Sequence, residues 1–196
     1  MYKLGITGGI GSGKSTASNF FKKNGAIVFN ADKEAKKHLK NTKVLQKRII
    51  DAFGQKIVES NNLSIKKLAE VAFSSKVDQS ILNGLMWPEI FILVEEDMEE
   101  ARKKGVELYV VDAAMIFEAN FEYLFDTTLL ISTRKNLRIN RALKRKNLHL
   151  EQIQNRMSLQ MSEIEKKRKA DHVITNDSTE DKFLKKLNDF LKKLNI

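Results

Sequence analysis

Five short apolar runs alternate with helical patterns along these 196 residues, and that alternation predicts an α/β protein. The expected core is a five-stranded parallel sheet with helices on both faces, a three-layer fold. A second observation locates the working edge of that sheet. The run Gly8-Gly9-Ile10-Gly11-Ser12-Gly13-Lys14-Ser15-Thr16 lies between the first apolar run and the first helix. A third agrees with it: the first three apolar runs lead into Gly8, Asp32 and Asp112. The carboxyl ends of parallel strands form the ligand crevice of such sheets, so these three positions are expected to converge.

The elements follow in order. Residues 2–7 are a short apolar run bounded by glycine, as expected of a buried strand, and residues 16–23 continue as a helix with Ala17, Phe20 and Phe21 as contacts. Asn24-Gly25 stops that helix, and residues 26–29 form the second strand. Helical stretches are expected over 33–39 and 44–53, the latter ending at Gly54. Residues 60–62 are polar turn material, and Ser64 is a suitable N-cap for a helix over 65–73. The longest helical pattern spans 78–104 and contains Pro88, the chain's only proline, directly after Trp87, its only tryptophan. A proline there predicts a boundary or a kink. Gly105 closes this stretch, and the third and fourth strands are expected at 108–111 and 127–131. A basic helix over 135–146 and a helix over 150–161 come next, and then Ser162 caps 163–169. The fifth strand is 173–175, and Ser178-x-x-Asp181 resembles a capping box opening the last helix. That helix carries Phe183, Leu184, Leu187, Phe190, Leu191 and Leu194 on one face.

Composition narrows the possible roles. The 42% apolar content suffices for a packed core, and the length suits one domain or one core with small insertions. Without cysteine there is no disulfide and no thiolate metal site. The chain enters its first strand at once, leaving no room for a signal peptide, and no apolar run reaches the roughly 18–20 residues that span a bilayer. A cytoplasmic protein with no membrane partner is expected. The net charge of +10 raises the question of nucleic acid. Many of the lysines lie in helical stretches alternating with acids or apolar residues, as in 33–40 and 185–193, and no nucleic-acid recognition motif accompanies them. No nucleic-acid partner is expected.

The glycine-rich stretch fits the phosphate-loop pattern G-x-x-x-x-G-K-[ST], with Gly8, Gly13, Lys14 and Ser15 at the fixed positions. Its glycines allow successive N–H groups to turn inward around a phosphate, and the following helix offers its positive end. Lys14 would reach the β- and γ-phosphates and the Ser15 hydroxyl a Mg²⁺ ion. A nucleoside triphosphate is therefore the expected ligand, with Gly8 to Thr16 as its cradle. Asp32 suits two tasks equally, accepting the proton of a hydroxyl that attacks the γ-phosphate or capping the next helix. Asp112 ends Tyr-Val-Val-Asp, a strand like those that hold Mg²⁺ in such sites, and it too could serve as a cap; Glu118 follows downstream. Arg138, Arg141 and Arg145 share one helix face, among seven basic residues and no acid between Thr133 and Lys146. That face suits a clamp over a triphosphate or an ordinary solvated surface. Arg156 and Gln160 lie four apart on the next helix. His38, His149 and His172 have no metal-ligand spacing.

Taken together, these motifs resemble the dephospho-coenzyme A kinase family over nearly the whole chain. The loop is close to the family's own form. Asn30-Ala31-Asp32 resembles its Asp-Ala-Asp, and Asp112 to Glu118 resembles its Asp-x-Pro-Leu-Leu-x-Glu. Arg138-x-x-Arg141-x-x-x-Arg145 resembles Gln-x-x-Arg-x-x-x-Arg, Arg156-x-x-x-Gln160 matches a following pair, and residues 170–176 resemble Ala-Asp-x-Val-Ile-x-Asn. Asn30, Ala114, Arg138 and Trp87 depart from the pattern. The resemblance implies a single P-loop kinase unit of the nucleotide-kinase type over 1–196. Its core would cover about 1–59, 105–133 and 163–196, with a helical substrate region at about 60–104 and a lid at about 134–162. It implies transfer of the ATP γ-phosphate to the ribose 3′-hydroxyl of dephospho-coenzyme A. In that reaction Asp32 would be the base, Ser15 and Asp112 would hold Mg²⁺, Arg141 would lie over the phosphates, and Asn176 would sit by the adenine. A monomer or weak homo-oligomer is expected. The loop alone would also serve a gluconate- or nucleoside-type kinase, or an NTP-driven switch; the acceptor-side residues separate these.

Overall fold

The computed structural model describes residues 1–145 and 149–194. The chain opens with β1 (Tyr2–Thr7), α1 (Lys14–Lys23), β2 (Ile27–Asn30), α2 (Ala31–Asn41) and α3 (Lys43–Phe53). A 3₁₀ turn (Gln55–Ile57) leads to β3 (Val58–Glu59) and β4 (Asn62–Leu63), then to α4 (Ile65–Ala72) and α5 (Lys76–Lys103). β5 (Leu108–Asp112), a 3₁₀ turn (Glu122–Leu124) and β6 (Thr127–Ser132) follow. The rest is α6 (Lys135–Lys144), α7 (Leu150–Ser158), α8 (Glu163–Lys169), β7 (His172–Thr175) and α9 (Glu180–Lys193). Two compact units result, one made of Met1–Ala31 with the described residues from Val94 onward, the other of Asp32–Leu93.

The first unit holds the expected five-stranded parallel sheet, in the order β2-β5-β1-β6-β7. Its strands are nearly continuous apolar runs because both faces are covered. Leu4, Ile6, Val110, Leu129 and Ile131 are fully or almost fully buried, with Ala17 and Phe21 of α1 and Phe183, Leu187 and Phe190 of α9 packed on them. The registers Ile6↔Asp112, Asn30↔Asp112 and Ser132↔Thr175 bring the strand ends together along one edge. β1 lies at the centre, so the loop that follows it sits in the middle of that edge.

The second unit is helical, with a core of Leu39, Leu45, Ile49, Phe53, Ile57, Leu68, Ala72 and Met86. The β3–β4 hairpin turns on Ser60 and Asn61, both at positive φ (48° and 60°), the backbone that a two-residue hairpin turn demands. Ser64 caps α4 as expected, its Oγ accepting from the Lys67 N–H at 3.5 Å. Glu89 gathers two bases, His38 Nε2 at 2.9 Å and Arg48 Nη1 at 3.2 Å.

Three local expectations are corrected. The helix around Pro88 has no boundary there: α5 runs without interruption from Lys76 to Lys103. The i−4 partner of Pro88 is Gly84, so one helical hydrogen bond is forgone and the other turns carry the helix through. The last helix begins one residue later than its capping pattern suggests, with Thr179 as N-cap and no side-chain cap bond. That start places Lys182, not Asp181, at the third helical position, where the reciprocal acid of a capping box belongs. α7 ends at Ser158, before residue 161. The end of the expected basic helix at Lys146 lies outside the described residues. Among those residues no helix is long and apolar enough to cross a membrane.

Candidate active site

The phosphate loop links the central strand to α1 and depends on glycine. Gly13, the N-cap of α1, has φ 103°, and Gly11 has φ 75°. Both angles are open to glycine and strained for other residues, and a Cβ at either would also strike a neighbour: Asn176 at position 13, the Arg138 backbone at position 11. Within the loop the Ser12 N–H donates to the Gly9 carbonyl at 3.1 Å. The N–H groups of Thr16 and Ala17 donate to the Gly13 carbonyl, which starts the helix. Lys14 is the first helical residue and half-buried; Ser15 is exposed and Thr16 half-buried.

Side chains from elsewhere in this unit grip the outer side of the loop. Arg138, on the inner face of α6, donates from Nε to the Ile10 carbonyl at 3.1 Å and from Nη1 to Glu163 at 3.0 Å. Thr133 Oγ1 and Asn176 Nδ2 each donate to the Ser12 carbonyl at 2.9 Å. The Asn176 N–H continues the β6–β7 ladder onto the Ser132 carbonyl at 2.8 Å, which fixes this junction. Asn176 is thus buried behind the loop, with its amide engaged there.

Asp112 is buried at the end of β5. Its Oδ2 accepts from Ser18 Oγ of α1 at 2.7 Å and from Asn30 Nδ2 at 3.3 Å. Asn30 therefore serves as a neutral donor to the strand-end acid, a task that an ionised acid could not perform. Glu118 is committed elsewhere: its Oε1 accepts from Lys166 Nζ and from the Met161 N–H, both at 2.9 Å. Lys166 is almost fully buried and also donates to the Ala114 carbonyl at 2.6 Å. Burial pulls the Lys166 ammonium below its usual range, Glu118 partly restores it, and the nearby charges of Lys14 and Arg138 lower it further. The Arg138 guanidinium is likewise lowered by burial and supported by Glu163. Cations are thus concentrated around the loop.

The three arginines of α6 do not act alike. Arg138 is used internally, Arg141 is half-buried, and Arg145 is exposed as the C-cap. Among the described residues, Arg141 Nη1 and Ser12 Oγ are buried without a hydrogen-bond partner, and so is Gln160 Oε1. Orphaned buried polar atoms need an explanation, and a bound anion supplies one for the arginine donor and the hydroxyl. Asp32 belongs to the other unit. It is the second residue of α2 and exposed, inside the first turn, so it is not the N-cap. Sequence reasoning missed Thr133, Ser18 and Lys166. The hydroxyls carry no distinctive spacing, and Lys166 looks like any member of the run Lys166-Lys167-Arg168-Lys169.

A family model described as Dephospho-CoA kinase matches residues 2–182. The chain belongs to the dephospho-CoA kinase family. Curated relatives of that name include one from Salinibacter ruber, 37% identical over 91% of this chain and 90% of its own length. Another, from Fusobacterium nucleatum, is 33% identical over 95% of each chain. The solved dephospho-CoA kinase from Campylobacter jejuni aligns with a TM-score of 0.69 and 28% identity, covering 98% of this chain and 96% of that one. The family consists of ATP-dependent kinases that complete coenzyme A biosynthesis, and the P-loop kinase fold expected from the loop and the sheet is the fold found.

Proposed function

We propose that this chain transfers the γ-phosphate of ATP to the ribose 3′-hydroxyl of dephospho-CoA, releasing ADP and CoA. The observation that carries the reading is the phosphate loop at the carboxyl end of the central strand, backed by the buried Nη1 of Arg141, which has no hydrogen-bond partner among the described residues. Gly8, Gly9, Ile10, Gly11, Ser12 and Gly13 would wrap the phosphates, with Lys14 and Thr16 at the helix start. Lys14 and Arg141 would neutralise charge on the transferring group. Asp32 would orient the 3′-hydroxyl and take its proton. The oxygen donors Ser15 and Asp112 fit a hard cation, so they are the pair that would hold Mg²⁺, which when bound shields the phosphate charges. The helical region of about 60–104 would take the acceptor, and residues of about 134–162 would close as a lid that excludes water. We place the enzyme in the cytoplasm as a monomer or weak homo-oligomer, without nucleic-acid or membrane partners.

A substrate panel tests this. ADP release from ATP should depend on dephospho-CoA and be accompanied by CoA formation, with gluconate and nucleosides inactive as acceptors. Lys14→Ala should lower transfer by roughly 10²-fold or more at unchanged melting temperature. Equal ADP release with and without dephospho-CoA would reject the acceptor assignment.

A further inference from the structure

The outward-facing carbonyls of the phosphate loop are held by side chains that the reaction itself does not need. Resting on the reading of the loop as a triphosphate site, we infer that Thr133, Asn176 and Arg138 are positioning residues that aim the loop's N–H groups before any anion arrives.

The argument is geometric. In a planar trans peptide the C=O and the following N–H point in opposite directions. Fixing the Ile10 carbonyl outward therefore turns the Gly11 N–H inward, and fixing the Ser12 carbonyl outward does the same for the Gly13 N–H. Arg138 holds the first carbonyl at 3.1 Å, and Thr133 with Asn176 hold the second, each at 2.9 Å. All three side chains are buried, and they come from α6, from the residue after β6 and from the residue after β7. Two of those attachment points are fixed by the β6–β7 ladder itself, since the Asn176 N–H bonds the Ser132 carbonyl. Thr133 Oγ1 also lies 3.2 Å from the Asn176 carbonyl, so the two braces support each other. A glycine-rich loop has the most conformational freedom of any backbone, and ordering it on binding would weaken affinity. Here the ordering is done by the fold. Arg138 adds a second device, because its Nη1 is tied to Glu163, which makes the loop's position depend on α8 as well.

The test compares ATP with inorganic tripolyphosphate by titration calorimetry on the full chain. Both ligands use the loop, but only ATP carries an adenine. Thr133→Val and Asn176→Ala should each weaken both ligands by the same factor, about 10-fold for a lost buried hydrogen bond, with thermal melting close to the parent. Thr133→Ser, which keeps the hydroxyl, should restore parental affinity. Arg138→Gln keeps a donor and should be milder than Arg138→Met. If Asn176→Ala weakens ATP while tripolyphosphate binding stays at the parental level, Asn176 is an adenine contact and the brace is overturned. If Thr133→Ser loses as much as Thr133→Val, the hydroxyl is not the holding group and the inference fails. Failure of the nucleotide reading looks different: Lys14→Ala would then bind tripolyphosphate as well as the parent.

Discussion

Asp32 marks what a sequence says about a single residue and where it stops. Its place after the second strand is readable from the order of residues, but its two possible tasks are not separable there, because the start of α2 is set by backbone angles. The helix starts at Ala31, which removes the cap and leaves an exposed acid in the first turn. Such an acid favours the helix dipole by only about 0.3–1 kcal/mol. Asp32→Asn should therefore leave melting and ATP affinity nearly unchanged. As the group that takes the 3′-hydroxyl proton, its loss should reduce kcat by roughly 10²–10⁴-fold. Melting, ATP binding and CoA formation measured on one purified variant decide the matter, and retained transfer would rule out Asp32 as the base. Lys14 and Ser15 stand out in the sequence because the loop pattern fixes their spacing, and Asp112 because it ends an apolar run. The importance of Thr133 and Lys166 was not legible, because it comes from burial and from partners distant in sequence, such as Ser12 for Thr133 and Ala114 for Lys166.

At the scale of elements, the five strands of the sheet were legible to within a residue or two, since buried parallel strands are short, dense apolar runs. The β3–β4 hairpin was legible only as a turn: two residues per strand are too few to display alternation. α6 shows the same limit for side chains. A spacing of three and four puts Arg138, Arg141 and Arg145 on one face, yet their differing burial depends on what α6 packs against. From that difference we expect Arg141→Ala to slow transfer far more than Lys144→Gln, because Lys144 is exposed. Nucleotide should also slow hydrogen exchange in α6 and α7 if they belong to a closing lid. Exchange unchanged by nucleotide, with Arg141→Ala near parental activity, would make this an ordinary basic surface.

For the whole molecule, the buried pair of Lys166 and Glu118 joins α8 to the segment after β5. Lys166→Ala should leave Glu118 as a buried acid without its cation and cost about 3–5 kcal/mol, measured by urea unfolding. The pH dependence has a definite sign. Burial holds Lys166 below the ordinary lysine value of 10.5, so between its folded value and 10.5 the unfolded chain binds more protons. Stability contributed by this group therefore rises with pH across that window, and is lost as pH falls through the folded value. Lys166→Met should flatten that rise; an unchanged slope would assign it to other groups. The order of the sheet has one more consequence, for the nascent chain. β1 emerges first but pairs only with β5 and β6, whose partners begin at Leu108 and Thr127. During synthesis the phosphate-binding strand must wait, apolar and unpaired on both edges, until well over half of the chain has left the ribosome. During that interval the chain presents an apolar strand with open edges, the condition that favours aggregation of nascent chains.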